Sequence, residues 1–169
     1  MDKVSVIIRN KNESQFIGFA LQSVCDHLPN SNVVVVDDNS LDDSMDIVKM
    51  FNTRLNIKTI KIDDYSPGKA LNIAINYCQH ETILILSAHA QIVRMDLHSV
   101  KKKLKKFAAV FGNQTPIYRG KKITKRYIWS HFIDGEVTNM WSDIENRPFL
   151  HNAFCFYNKK DLIDLPFDE

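Results

Sequence analysis

The loop after the first predicted strand holds no glycine. It reads Arg9-Asn-Lys-Asn-Glu13, in a chain with five glycines among 169 residues. A dinucleotide-binding fold wants G-x-G-x-x-G at that place, so that backbone can close on a pyrophosphate, and this disfavours that class. Pro67-Gly-Lys-Ala70 lacks the first glycine and the final hydroxyl of a P-loop. A phosphoacceptor receiver wants an aspartate ending a central strand, and the fourth predicted strand ends in Ser87-Ala-His89 instead. Cysteine is scarce as well. Cys25, Cys78 and Cys155 are odd in number and far apart, with neither a disulfide framework nor metal-ligand spacing. Cys25 and Cys78 fall on apolar helix faces, as buried thiols of a reducing compartment do. Charge is balanced at +2, too little to argue for nucleic acid. No run of ~18 apolar residues offers a membrane span. A strand begins at Val4, which leaves no signal peptide. These absences point to a cytoplasmic globular protein, long enough for one domain with a full core.

What is present begins with Val33-Val-Val-Val36 followed by Asp37 and Asp38. Four β-branched residues in a row read as a strand buried on both faces. Ligands of open α/β sheets sit outside the carboxyl ends of the strands, which is where the two carboxylates emerge. A plain turn with a helix cap is the alternative, because Ser40 and Asp43 have capping-box spacing. Around this strand the order is regular. Strands are expected at 4–8, 32–37, 57–62 and 82–86. Helices are expected at 13–28, 41–51 and after Ser66, which can cap a helix with Pro67 at its first position. Alternation of this kind implies a mostly parallel sheet with helices on both faces. The loops at 9–13, 37–40, 63–68 and 87–90 should then share one rim.

Beyond residue 90 the pattern loosens. A helix is expected over 95–107, a short strand near 108–111, a strand at 153–157 and a helix or turn at 159–165. Residues 112–150 are aromatic and basic without periodicity. We expect one domain over 1–169, with a regular half at 1–90 and a loop-rich half at 91–169.

Four segments carry a resemblance in their order and spacing. They are Val4-Ser-Val-Ile-Ile-Arg-Asn-Lys-Asn-Glu13, Val35-Val-Asp-Asp-Asn-Ser40, Gly68-Lys-Ala-Leu-Asn72 and Leu84-Ile-Leu-Ser-Ala-His89. Together they resemble the family 2 glycosyltransferases of the GT-A type. Those typically read V-S-V-I-I-P-x-Y-N-E, V-V-D-D-G-S, G-x-x-x-A-x-N and a D-x-D after the fourth strand. Phe111-Gly-Asn-Gln-Thr-Pro116 looks like the G-x-Q-x-P segment of one bacterial branch. Asn152-Ala-Phe154 and Leu165-Pro-Phe-Asp-Glu169 are similar to that branch's acceptor side. The resemblance implies a GT-A α/β fold with a sugar-nucleotide half at 1–90 and an acceptor side at 91–169. Because the chain stops at Glu169, the acceptor side is expected to be truncated, ahead of the E-D motif that carries the family's catalytic carboxylate.

By that resemblance, Glu13 and Asp38 face the base and ribose of a nucleotide, with Asp37 behind them and Arg9 and Asn10 on the same loop. A carboxylate suits that place because it accepts from base N–H groups and ribose hydroxyls. Lys69 in the first turn of the third helix, with Asn72 one turn on, suits a diphosphate; a solvated lysine is the alternative. Ser87 and His89 stand where the family has two metal-holding aspartates. His89 can still ligate a transition metal, Mn²⁺ in preference to Mg²⁺, or donate directly to phosphate. Weak metal dependence is expected. The run Lys101–Lys106 reads as a solvated helix face, or as a contact with anionic membrane lipid. Tyr127, Trp129, Phe132 and Trp141 read as core, or as platforms for sugar rings.

Two functions fit. One is transfer of a sugar, with inversion, from a UDP- or dTDP-sugar to a hydroxyl of a polysaccharide or lipid-linked acceptor. The other is a non-catalytic module that binds the same sugar nucleotide.

Overall fold

The computed structural model describes residues 3–118, 120–122, 135–142 and 146–169. Contacts group the chain into two compact units, one of residues up to Val110 together with Asn152–Glu169, and one of Phe111–His151. The division does not fall at residue 90. Elements on both sides of that point belong to the first unit.

The first unit begins as the sequence predicts. Strand β1 (Ser5–Asn10), helix α1 (Ile17–His27), β2 (Asn32–Asp37), α2 (Ser44–Met50), β3 (Asn56–Lys61), α3 (Pro67–Ile75), β4 (Thr82–Ser87) and α4 (Leu97–Leu104) follow one another, with a 3₁₀ turn at Phe51–Thr53. Next comes β5 (Ala109–Phe111). Among its described residues the second unit holds two short antiparallel pairs, β6 (Ile117–Tyr118) with β7 (Lys121–Lys122) and β8 (Trp141–Ser142) with β9 (Arg147–Pro148). The chain closes with β10 (Phe154–Asn158) and α5 (Lys159–Asp164).

Among the described residues the main sheet runs β3-β2-β1-β4-β10-β5. The first four strands are parallel, and β10 joins β4 antiparallel. This is the mixed, mostly parallel α/β sheet that the strand–helix alternation implies. β1 lies between β2 and β4, where its run Val6-Ile-Ile8 is fully enclosed. Val33–Val36 are fully buried too, as a strand covered on both faces must be. Alternate residues divide between the two faces. Val6, Ile8, Val33, Val35, Leu84, Leu86 and Phe156 form one core with Leu21 and Val24 of α1, Val48 of α2 and Leu104 of α4. Helix α3 covers β1 and β2 from the other face and meets α5. Outer strand β3 is half exposed and carries Lys58 and Lys61, charges that discourage a further strand from pairing.

The lower ends of the strands are tied by a buried polar knot. Ser5 Oγ donates to Asn32 Oδ1 (3.0 Å), and the backbone N–H of Gln79 and His80 donates to Ser5 Oγ (3.0 Å each). The starts of β1 and β2 and the entry to β4 are thereby held together. The three cysteines are free. Cys78 and Cys155 are buried, and burial pushes their thiols up to about 11 and about 12.

Two helices start later than the apolar spacing predicts. Glu13–Phe16 form a turn, with Phe16 and Ile17 N–H both on the Glu13 carbonyl (2.9 Å each), so α1 begins at Ile17. Helix α2 begins at Ser44 because Ser40 is engaged in the rim and leaves no cap there. Ser66 does cap α3, accepting from Lys69 N–H (3.1 Å), with Pro67 at the first position. Asp96 caps α4 through Ser99 N–H (3.1 Å), which sets its start at Leu97; the helix runs 97–104 where 95–107 is expected.

Leu84→Ala would leave a cavity between fully enclosed side chains, at a cost of about 2–5 kcal/mol. Lys58→Ala on the outer strand should change stability by less than about 0.5 kcal/mol. Urea unfolding of both variants checks the pair; equal losses would contradict the burial described here.

Candidate functional site

Polar side chains at the carboxyl end of β1 tie that end to β2. Asn10 ends β1 opposite Asp37 of β2. Its Nδ2 donates to Asp37 Oδ1 (2.7 Å) and to Ser40 Oγ (3.0 Å). Asp37 also accepts from the Ser40 hydroxyl (2.6 Å) and the Ser40 N–H (3.0 Å). Its carboxylate is therefore saturated with partners that shape the loop. Two asparagines complete the turns in left-handed backbone, Asn12 at φ 54° and Asn39 at φ 51°, a conformation their short polar side chains tolerate. Asn39 Nδ2 reaches the Ile62 carbonyl (2.8 Å), and Asn12 Oδ1 accepts from Leu41 N–H (2.8 Å). Ser40, read from the sequence as part of a capping box, receives Asn12 N–H instead (2.9 Å).

Asp38 has a different environment. Its N–H bonds the Asn10 carbonyl (2.9 Å), which continues the strand pairing one residue past β2. The carboxylate is about one-tenth exposed and meets the Lys11 ammonium at 2.6 Å, while Lys11 is mostly in solvent. One carboxylate of the pair is thus locked into the scaffold, and the other is held by a mobile-stemmed lysine. Close by, Asn10 Oδ1 is buried without a hydrogen-bond partner. A buried acceptor of this kind is costly unless a donor reaches it.

Glu13 and the fourth loop meet on the other side of β1. His89 Nδ1 and Glu13 Oε1 are hydrogen-bonded at 3.2 Å. Ser87 Oγ lies 3.1 Å from His89 Nε2 and 3.5 Å from Nδ1. An acid, an imidazole and a hydroxyl in this order suggest an activated serine, but the hydroxyl is nearly equidistant from both nitrogens. It lies against the ring and not in line with either lone pair, so the imidazole does not take its proton. One carboxylate, one imidazole and one hydroxyl offer too few anionic oxygens for Mg²⁺, and among the described residues no group of three or more His, Cys, Asp or Glu is placed to hold an ion.

The third loop contributes Asp64, Tyr65 and Lys69. Lys69 Nζ pairs with Asp64 at 2.8 Å; that hydrogen bond holds the lysine up and the Asp64 carboxyl down from their ordinary values. Arg9 donates to Tyr65 Oη at 3.3 Å. Asn72 faces the last residues of the chain, with Nδ2 on the Phe167 carbonyl (2.9 Å) and Oδ1 receiving Phe167 N–H (3.0 Å). The structure therefore brings Arg9, Asn10, Glu13, Asp37, Asp38, Ser87 and His89 around the end of β1, and joins Lys69 to that rim through the 63–69 loop. Of the four aromatics singled out from the sequence, Trp141 is half exposed on β8. Tyr127, Trp129 and Phe132 lie outside the described residues. The lysine run covers the last turn of α4 and the two residues after it, and His98, Lys101, Lys102 and Lys105 line a recess there. Among the described residues no helix is long and apolar enough to cross a membrane.

Sequence reasoning missed Asn12, Asn39, Asp42 and Ser44 of the lattice that shapes the rim, and read its fifth member, Ser40, as a helix cap. Asn12 and Asn39 carried a signal, since asparagine is the commonest non-glycine residue to enter left-handed backbone in turns. Asp42 carried none. It accepts Ser14 N–H (2.9 Å), Ser44 N–H (3.0 Å) and the Ser44 hydroxyl, and Ser44 Oγ in turn accepts Glu13 N–H (2.8 Å).

Comparison with known proteins follows the geometry. A family model described as glycosyl transferase family 2 matches residues 5–165. Among curated proteins, poly(ribitol-phosphate) beta-N-acetylglucosaminyltransferase TarS of Staphylococcus aureus is 33% identical over 93 residues, 52% of this chain and 16% of the relative. The match thus spans a small part of that protein's length. The crystal structure of S. aureus TarS 1–349 with UDP-GlcNAc superposes with a TM-score of 0.70 at 24% identity, over 96% of this chain and 47% of that one. The mannosyltransferase PcManGT from Pyrobaculum calidifontis, in complex with GDP-Man and Mn²⁺, superposes at 0.68 with 21% identity, over 98% and 47%. These likenesses establish the GT-A fold.

Acid should loosen the Asp42 corner. Desolvation pushes this carboxyl up, but hydrogen bonds from Ser44 and Ser14 outweigh it and hold it at about 2 against an ordinary 3.8. A depressed carboxyl stabilises the fold fully above its unfolded value, and the contribution is lost as pH falls toward about 2. Asp42→Asn is expected to lower the thermal midpoint at pH 7, with the gap to the parent closing near pH 2. Equal midpoints at pH 7 would remove Asp42 from the rim's support.

Proposed function

This chain belongs to glycosyltransferase family 2, and from that premise we propose that it binds a nucleotide-diphospho-sugar at the carboxyl ends of β1, β2 and β4. On this reading it supplies the donor half of a transferase that passes the sugar, with inversion, to a hydroxyl of a polysaccharide or lipid-linked acceptor. The observation that carries the reading is Asp38, a nearly buried carboxylate one residue past β2 whose side chain meets an exchangeable lysine. A carboxylate so placed accepts from a base N–H or a ribose hydroxyl once Lys11 swings aside. Uridine or deoxythymidine is the expected nucleoside. The bound UDP and UDP-GlcNAc of the TarS structures support it.

The remaining residues take roles from their positions. Asp37 and Asn10 hold the loop that presents Asp38, and the unpartnered Asn10 Oδ1 is an acceptor that a bound hydroxyl or a water would satisfy. Lys69, at the start of a capped helix, offers a cation to the diphosphate. His89, beside Glu13, donates to phosphate or adds one imidazole to an ion carried by the nucleotide. The protein works, on this reading, in the cytoplasm, with the lysine face of α4 toward an anionic membrane surface. The replacement of two acids by Ser87 and His89 favours a second reading, a module that binds sugar nucleotides without transferring sugar.

Calorimetry tests the site directly. Asp38→Ala should weaken UDP binding by about 5- to 150-fold, the loss of about 1–3 kcal/mol expected when a donor is left unpaired. Unchanged affinity would remove Asp38 from the site. Mn²⁺ should tighten UDP only modestly and Mg²⁺ hardly at all; absolute dependence on either ion would contradict the donor set described above. Sugar release or transfer by the chain, measured with UDP-GlcNAc and a glycan acceptor, separates the transferase from the binding module.

A further inference from the structure

The last residues of the chain lie across the first turns of α3, and two side-chain facts there are independent of each other. Asn72 uses both ends of its amide on one backbone unit, accepting Phe167 N–H at 3.0 Å and donating to the Phe167 carbonyl at 2.9 Å. Paired this way, a side chain imitates a neighbouring strand. One turn earlier, Gly68 has no side chain to spare. A Cβ there would sit 1.6 Å from the Asp168 carbonyl oxygen and 2.6 Å from its carbon. Gly68 is buried in the first turn of α3. Its presence is explained by the approach of that backbone. Phe167 adds an edge-on contact with Tyr157 at 6.1 Å.

The docked segment brings a charge with it. Glu169 Oε1 accepts from Asn72 Nδ2 at 3.0 Å. Lys69 stands three residues before Asn72, on the same face of the helix. Lys69 is thus set between Asp64, at 2.8 Å, and the side on which Glu169 arrives. We propose that Gly68 and Asn72 are positioning residues that dock the segment Pro166–Glu169 on α3, and that the docked Glu169 carboxylate competes with an anionic ligand for Lys69. The second clause rests on the sugar-nucleotide reading of the rim, and the first does not. An incoming diphosphate then meets a lysine already offset by two carboxylates. Affinity at this helix end is tuned by the segment without its touching the base or ribose.

Hydrogen exchange in the full 169-residue chain reads the dock without any nucleotide. Asn72→Ala and Gly68→Ala should each speed exchange of the Phe167 amide at least about tenfold, while Ile7 and Ile85 in the sheet stay protected and report an intact fold. Asn72→Asp keeps the acceptor for Phe167 but faces Glu169 with a like charge. It should speed exchange at neutral pH, and adding Glu169→Gln should restore part of the protection, which a general loss of stability would not show. Unchanged Phe167 exchange in Asn72→Ala and Gly68→Ala would overturn the dock. Calorimetry with two probes reads the competition. Glu169→Gln should tighten UDP about threefold and leave uridine unchanged, since only UDP carries the phosphates. Equal effects on both probes, or none on UDP, would overturn it. A parent chain that binds neither UDP nor uridine would refute the sugar-nucleotide reading and the competition with it, leaving the dock to the exchange result.

Discussion

Parallel register between β1 and its two neighbours places everything at the rim. Arg9 stands opposite Val36 on one side and Ser87 on the other, and Asn10 stands opposite Asp37. Because parallel strands end in the same direction, a single loop at 9–13 is within reach of both flanking loops. It delivers Lys11 to Asp38 on one side and Glu13 to His89 on the other. A slip of one residue would turn Val6 and Ile8 to the opposite face and pull these pairs apart together. The buried run of Val33–Val36 fixes that register. The hydrophobic interior therefore decides which carboxylates can meet which cations.

The rim treats adjacent, chemically identical residues in opposite ways. Asp37 points back into donors from Asn10 and Ser40 and is spent on holding the turn. Asp38 follows after one reversal of direction and is left with a partner that solvent can draw away. That division comes from strand alternation, which sends successive side chains to opposite sides. A similar economy governs α3. Its buried face of Ala70, Leu71, Ala74 and Ile75 packs on the sheet, while Lys69 and Asn72 on another face meet Asp64 and the end of the chain.

Repeating physics made much of this readable from sequence. Continuous β-branched runs marked buried parallel strands, and polar residues directly after them marked the rim. Ser66-Pro67 marked the start of α3. What was not legible depends on contacts between distant residues. The start of α2 moved from Leu41 to Ser44 because Asn10 and Asn12, almost thirty residues earlier, claim Ser40. The start of α1 moved because Ser14 N–H is drawn to Asp42. Asn72, in line with a phosphate-facing residue by motif, lies against Phe167 for reasons ninety-five residues away. Periodicity contains no information about such long-range polar partners. It also falls silent over 112–150, where the strands among the described residues are two residues long and too short to impose a pattern.

Cys155 lies on β10, between β4 and β5, and is wholly enclosed; Cys78 closes the turn after α3. With their thiols pushed up to about 12 and about 11, neither is a thiolate at neutral pH, and neither is open to a reagent. An alkylating probe can reach them only when the sheet parts locally or the chain unfolds. The protein thus carries two clocks of its own opening at chemically silent positions. One times the separation of the antiparallel strand from the parallel core, and the other times the loosening of the helix against which the end of the chain is folded.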